Sequence, residues 1–370
     1  MGEGPRKSMN DTRNQPQWIP SPYLHLFEHA ILNPHTGRGM GADHPWYTVL
    51  RQLILDENVI NESHELCAEL ADHDWLIPVG ADLSHQYRIR WVSLEAHSVC
   101  NQRCFFCPVS VAPREPYFMP TEVFNRAVRE VAELEQPIEA VTMIQYNEPT
   151  VDRRFVEQVR CIKDAGLPAA VLSNGSNLVP ETVDALVSMG GIHYFSVNLS
   201  TLDREQYAKD RGKDHLERVL ANLDYAKDTA MAEEMVIVVL GTDPEEHARQ
   251  YEAISRRFAG SHFKVQDFEP NDRAGYLDIG LAAEGRELRI RGCDYMGSRP
   301  IEHIHITAAA NVVICCQDYD EKWRLGNLNT QSIREILVSE AYASARRIVY
   351  GIDPPPQDFI CAKCRYALRR

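Results

Sequence analysis

The chain has 370 residues, enough for a large catalytic domain with smaller attachments, and its 44% hydrophobic and 25% charged residues are those of a folded globular protein, not a fibrous or disordered one. Thirty-nine basic residues against 53 acidic ones leave a formal charge of −14, which disfavours binding to phosphate backbones and excludes nucleic acid as the expected partner. No apolar run approaches the roughly 20 residues that span a bilayer, and the N-terminal MGEGPRKSMNDTRNQPQ lacks a signal-peptide core, so the expected location is the cytoplasm with no membrane partner.

Residues 1–18, polar and rich in Gly, Asn and Pro, read as a disordered tail. Residues 19–86 read as a small helical subdomain: Trp46, Leu50, Leu53 and Ile54 fall at helical spacing, followed by Leu66, Leu70 and Trp75. From Tyr87 to about Gly275, short apolar runs alternate with amphipathic stretches, the pattern of βα units around a parallel sheet. Strands are predicted at Tyr87–Ala96, Ala140–Ile144, Ala169–Ser173, Tyr194–Leu199, Met235–Leu240 and Phe263–Phe268. The clearest helix is Thr121–Leu134, with Val123, Phe124, Ala127, Val128, Val131 and Leu134 on one face. The fold class is therefore α/β, a partial (β/α)6 barrel three-quarters the size of the eight-unit one. Residues 276–370 form a cysteine-rich domain in which His303–Ile314 reads as a hairpin.

Ten cysteines in a reducing compartment read as metal ligands more naturally than as disulfides. Cys100, Cys104 and Cys107 form CxxxCxxC directly after the first strand, at the end where barrel folds place their active sites. Three thiolates on a four-iron cluster leave one iron open to a small chelating molecule. The competing readings are a zinc site, which normally wants four closed ligands, and three buried thiols. Downstream, Cys293, Cys315 and the CxxC pair Cys361 and Cys364 supply four thiols for a closed cluster or for a structural zinc. Cys315 is preferred over its neighbour Cys316 as the ligand, since successive strand residues face opposite ways, and the spare thiol is packing or functional. Cys67 and Cys161 lie in helical patterns and read as core.

CxxxCxxC with an aromatic before its last cysteine, here Phe106, resembles the radical S-adenosylmethionine (SAM) superfamily. The resemblance implies a 4Fe-4S cluster whose open iron binds SAM, and reductive cleavage of SAM to a 5′-deoxyadenosyl radical that abstracts a substrate hydrogen. Tyr146-Asn147-Glu148-Pro149 resembles the family's GGEP segment, with Tyr146 and Asn147 in place of its glycines, and implies that Glu148 holds the SAM amine. Leu172-Ser173-Asn174-Gly175 resembles the TNG-type segment, which makes Ser173 and Asn174 SAM contacts; Asn198, Ser200 and Leu240 stand where further contacts fall. The cysteine-rich segment is similar to the twitch form of the SPASM extension, which implies one auxiliary 4Fe-4S cluster on Cys293, Cys315, Cys361 and Cys364. Where that family has a glycine five positions before the second ligand, this chain has Ala310 followed by Asn311, and the turn survives if Asn311 takes the positive φ instead.

The chemistry implied is hydrogen abstraction in natural-product biosynthesis, with an external donor such as flavodoxin or ferredoxin. An auxiliary cluster suits net oxidation or crosslinking, whereas Cys316 as a hydrogen donor would suit epimerisation. Residues 22–78 resemble the N-terminal extensions of peptide-modifying SPASM enzymes, which favours a peptide substrate; an aminocyclitol or amino sugar is the alternative. Asp267, Glu269, Asp318 and Tyr319 fall near the substrate-facing ends. Outside this class stand a zinc-stabilised binding protein and a cluster-bearing electron-transfer protein, neither of which needs a three-thiol site facing an acidic anchor.

Overall fold

A computed structural model describes residues 17–57, 59–61, 65–280 and 289–370. The chain separates into two compact units, Met1–Leu83 and Ser84–Arg370.

The first unit holds two helices, Tyr47–Asp56 and Glu65–Ala71, where the apolar spacing placed them, but it is not wholly helical as expected. Gln17–Pro20 pairs antiparallel with Ile60–Asn61 and with Leu76–Pro78, and His25–Leu26, Ala30–Asn33 and Arg38–Gly41 form a second antiparallel sheet. These strands are two to four residues long, too short for an alternating pattern to register. Its core gathers Leu24, Ile31, Met40, Leu50, Leu70 and Trp75. Residues 1–16 of the expected tail lie outside the described residues, while Gln17 and Trp18 belong to the first strand.

The second unit is built on a nine-stranded sheet. Its barrel strands are, in chain order, Trp91–Leu94, Ala140–Thr142, Ala169–Ser173, Ile192–Asn198, Ala232–Leu240 and Phe263–Phe268, all parallel. Val141, Val171, Phe195, Val197, Ile237 and Val239 are buried in it, as expected of strands covered on both faces. The helix Thr121–Ala132 buries Phe124, Ala127, Val128 and Val131, the face its spacing marks, and Asp203 and Asp243 cap the helices Arg204–Arg211 and Pro244–Arg257 by accepting from the N–H groups of Gln206 and Glu246. This is the expected α/β partial barrel.

The sheet does not stop at the first barrel strand. His303–Ile306 lies parallel to Trp91–Leu94, Asn311–Val313 returns antiparallel as the expected hairpin, and Arg324–Asn327 adds a further antiparallel strand. In the hairpin turn Ala310, not Asn311, takes the left-handed conformation, with φ 63°. Ala310 is buried, its N–H donates to Thr307 O (2.8 Å) and its carbonyl accepts from Leu328 N (2.8 Å), so the loop around it dictates the conformation its side chain would avoid. Among the described residues no helix is long and apolar enough to cross a membrane.

Candidate functional site

The first barrel strand runs directly into the loop carrying Cys100, Cys104 and Cys107, all three half-buried. The loop is clamped from outside by the end of the helix Arg204–Arg211: Arg103 N–H donates to Arg211 O (2.8 Å) and Phe105 N–H to Asp210 O (3.0 Å). Cys100 and Cys107 pack against Val109, Tyr146 and Tyr319. Burial pushes the Cys100 thiol up to about 12, with Glu148, Cys104 and Cys107 adding to the rise, so the three sulfurs and that carboxylate share one electrostatic environment. Burial also pushes Cys107 up, against the pull of Arg273.

Glu148 is 2% exposed and follows the second barrel strand. Its Oε1 accepts from Thr150 Oγ1 (2.6 Å), Thr150 N (3.3 Å) and Ser173 Oγ (2.7 Å), and its Oε2 from Asn174 N (2.6 Å). Burial still raises its carboxyl above the ordinary range, because desolvation outweighs these donors. A buried carboxylate of this kind calls for a cation. Asn174 in turn donates to Asn101 Oδ1 (2.8 Å), in the cysteine loop itself.

Two side chains that the sequence did not mark organise the surroundings. Glu95, wholly buried at the end of the first barrel strand, accepts from Arg114 Nη1 (2.9 Å) and Nη2 (2.5 Å), from Tyr146 N (3.0 Å) and from Ala308 N (3.1 Å). It ties together the loops after the first and second strands and the C-terminal hairpin. Arg211, 2% exposed, donates to Cys104 Sγ (3.5 Å), Ser200 Oγ (3.2 Å), Asn198 O (3.2 Å) and Asn198 Oδ1, and lies 4.9 Å from the Phe106 ring centroid. Ser200 Oγ accepts from Leu240 N (3.1 Å). Phe106, Asn198, Ser200 and Leu240 are thereby gathered beside the cysteine loop through one guanidinium. An arginine in an exposed-looking helix, YAKDRGK, gave no signal of this.

The second cysteine set closes on a separate cavity lined by Cys293, Cys315, Cys361 and Cys364, together with Arg299 and Gln317. Burial pushes all four thiols up, Cys364 to about 12, and backbone N–H groups already point at three of them: Gln317 N at Cys315 Sγ (3.3 Å), Arg299 and Tyr295 at Cys293, Tyr366 at Cys364. Among the described residues no three or more His, Cys, Asp or Glu side chains converge as a single ion would need; the four thiols border a void instead. Buried thiols around a void, met by N–H donors, fit an anionic iron-sulfur cluster. Cys316 does not line that cavity. Its carbonyl accepts from Tyr146 OH, and its thiol acts electrostatically on Tyr146, Tyr295 and Arg273 as well as on Cys293, Cys315 and Cys364. Tyr146, at a family glycine position, therefore stands between the two cysteine sets.

The family model of the radical SAM superfamily matches residues 94–254, and that of the SPASM iron-sulfur cluster-binding domain matches residues 293–365. The chain belongs to the radical SAM superfamily. As a radical SAM protein with a SPASM domain, it has SAM, a SAM-binding 4Fe-4S cluster and an auxiliary cluster as its cofactors. Among curated proteins, an uncharacterized protein of Methanocaldococcus jannaschii is 30% identical over 135 residues, 36% of this chain and 42% of that protein. A probable GTP 3′,8-cyclase of Pyrococcus abyssi is 28% identical over 127 residues, 34% of this chain and 40% of that protein. The matches thus span about two fifths of the length of these relatives. Among solved structures, Streptococcus suis SuiB bound to precursor peptide SuiA has a TM-score of 0.57 at 12% identity, covering 94% of this chain and 93% of that one. BtrN in complex with AdoMet and 2-DOIA has a TM-score of 0.50 at 17% identity, covering 75% and 91%, and anSMEcpe with AdoMet and the Cp18Cys peptide 0.51 at 14%, covering 76% and 88%. At these identities the likeness is one of fold.

Other expected residues fall elsewhere in the radical SAM unit. Asp318 is a backbone staple, accepting from Lys322 N (3.0 Å) and Trp323 N (2.7 Å), and Glu269 pairs with Arg365 (2.7 Å) at the surface. Asp267 is exposed on the sixth strand. Tyr319 does reach the site, edge-on to Tyr146 with ring centroids 4.7 Å apart. Cys161 is half-exposed and not core, because its helix Phe155–Asp164 turns Phe155, Val159 and Ile162 inward instead; the side chain of Cys67 lies outside the described residues.

Proposed function

We propose that this chain is an enzyme that reductively cleaves SAM and abstracts a hydrogen atom from a peptide substrate, oxidising, crosslinking or epimerising it. The observation that carries the reading is the three-thiol loop beside a buried carboxylate, Glu148, whose remaining need is a cation. When bound, the 4Fe-4S cluster and SAM supply the 5′-deoxyadenosyl radical. Cys100, Cys104 and Cys107 ligate that cluster and leave one iron open. Glu148, held in orientation by Thr150, Ser173 and Asn174, receives the SAM ammonium. Phe106, Asn198, Ser200 and Leu240 border the rest of the SAM site, fixed by Arg211. Cys293, Cys315, Cys361 and Cys364 hold the auxiliary cluster, and Cys316 is free to give a hydrogen atom to a substrate radical if the outcome is epimerisation.

A peptide is favoured because the likeness to SuiB takes in 94% of this chain, against 75% for BtrN, so that it reaches the N-terminal segment resembling peptide-capturing extensions. An aminocyclitol or amino sugar, as the 2-DOIA bound to BtrN suggests, is the second reading. We assign residues 17–83 to the N-terminal subdomain, 84–275 to the SAM barrel and 276–370 to the auxiliary domain, working in the cytoplasm with a flavodoxin- or ferredoxin-type donor. The test is anaerobic reconstitution with iron and sulfide, followed by dithionite-driven SAM cleavage, alone and with peptide or aminocyclitol candidates. The expected result is about eight irons per chain and release of 5′-deoxyadenosine, lost when Cys100, Cys104 and Cys107 are together replaced by Ala. Retained cleavage in that triple variant would sink the proposal.

A further inference from the structure

The lining of the cavity bordered by Cys293, Cys315, Cys361 and Cys364 includes Gln317 and Arg299, two residues whose buried side chains have unmet hydrogen-bonding capacity among the described residues. Gln317 is 3% exposed, and neither its amide nitrogen nor its amide oxygen finds a partner among the described residues. Arg299, 6% exposed, gives one N–H to His303 Nδ1 (2.6 Å) and lies 4.2 Å from the Tyr295 ring centroid, yet its Nε is buried without a partner among the described residues. The backbone of Gln317 already donates to Cys315 Sγ. A buried donor left unpaired is destabilising, so such groups call for an acceptor inside the cavity they line. Apart from the thiols and Tyr295, the lining beside them is apolar, made of Pro300, Ile314, Val349 and Ile360.

We propose that the Gln317 amide and the Arg299 guanidinium donate N–H bonds to sulfur atoms of the auxiliary 4Fe-4S cluster and thereby raise its reduction potential. This rests on the reading that the four thiols hold such a cluster. The reduced cluster carries one more negative charge than the oxidised one, so an N–H aimed at sulfur, or a nearby guanidinium, stabilises the reduced state more. The raised potential suits an oxidative reaction over a redox-neutral one. In an oxidation, the substrate radical left by hydrogen abstraction gives one electron to this site and one proton to solvent, and the electron leaves to a flavodoxin- or ferredoxin-type carrier. Epimerisation needs no such acceptor.

The experiment uses the full-length chain, reconstituted anaerobically, with Cys100, Cys104 and Cys107 replaced by Ala so that only the auxiliary cluster reports in an EPR-monitored redox titration. Gln317→Met removes both polar atoms at similar size, and the ratio of reduced to oxidised cluster at a fixed potential should fall about tenfold, or about 59 mV for a one-electron couple. Gln317→Glu keeps the shape, removes the donor and adds negative charge, so it should lower the midpoint further than Gln317→Met. Unchanged midpoints in iron-replete variants would overturn the proposal. If Gln317→Met fails to retain iron, Gln317→Glu decides alone by the same criterion. A triple-alanine parent that binds no iron would overturn the cluster reading itself, and the donor assignment with it.

Discussion

Glu95 offers the sharpest test of how the site is held together. Its carboxylate is wholly buried and accepts both terminal nitrogens of Arg114 and the N–H groups of Tyr146 and Ala308. Replacing it by Ala strands a guanidinium whose side chain is 18% exposed and leaves two backbone donors unpaired. Breaking a buried ion pair from one side costs about 3–5 kcal/mol, and a stranded backbone N–H about 1–3 kcal/mol more, though the losses overlap. We expect Glu95→Ala to lose about 4 kcal/mol, or about 8–16 °C in Tm at roughly 2–4 °C per kcal/mol for a unit of this size. Adding Arg114→Met removes the unpaired charge and should recover about half of the loss. The assay is urea unfolding of anaerobically reconstituted protein, read from the midpoint at unchanged slope. A loss below about 1 kcal/mol for Glu95→Ala, or a double variant less stable than the single one, would refute the idea that this carboxylate staples three segments.

Two further outcomes follow from the site. Cys315→Ala should lose the auxiliary cluster and about half of the iron, while Cys316→Ala keeps it, measured as iron and acid-labile sulfide per chain; the reverse result would exchange the two roles. Glu148 is raised by burial, so the folded, cofactor-free chain holds its proton more tightly than the unfolded one. Its contribution to stability is therefore present below the ordinary carboxylate range and is lost as pH rises through the raised folded value. The difference in urea stability between wild type and Glu148→Gln should accordingly shift against wild type from about pH 4 to about pH 7, and a flat difference would show that the carboxyl is not desolvated.

The parts of this protein legible in the sequence are those whose signal is local. Three cysteines within eight residues, an apolar helical face over Thr121–Ala132 and the ends of Ala169–Ser173 and Phe263–Phe268 all depend on near neighbours in the chain. Glu95 looked like a polar residue at a strand end because its backbone donors come from 51 and 213 residues away. Arg211 was invisible for the same reason: its partner Cys104 lies 107 residues upstream. Ala310 shows the converse, where a local preference for Asn at positive φ yielded to the hydrogen bonds that Ala310 gives to Thr307 O and accepts from Leu328 N. The short N-terminal strands have no periodicity to read, since their pairing partners define them rather than their own residues.

The pairing of His303–Ile306 with Trp91–Leu94 has a consequence for synthesis. Until residues some 200 positions later have left the ribosome, the first barrel strand presents one open edge, the kind of template on which chains aggregate. At about 5–20 residues per second the exposure lasts roughly 10–40 s, longer than a small domain needs to collapse. The barrel therefore finishes late, and truncation anywhere before His303 removes more than a cluster domain: it leaves the first barrel strand without one of its two neighbours.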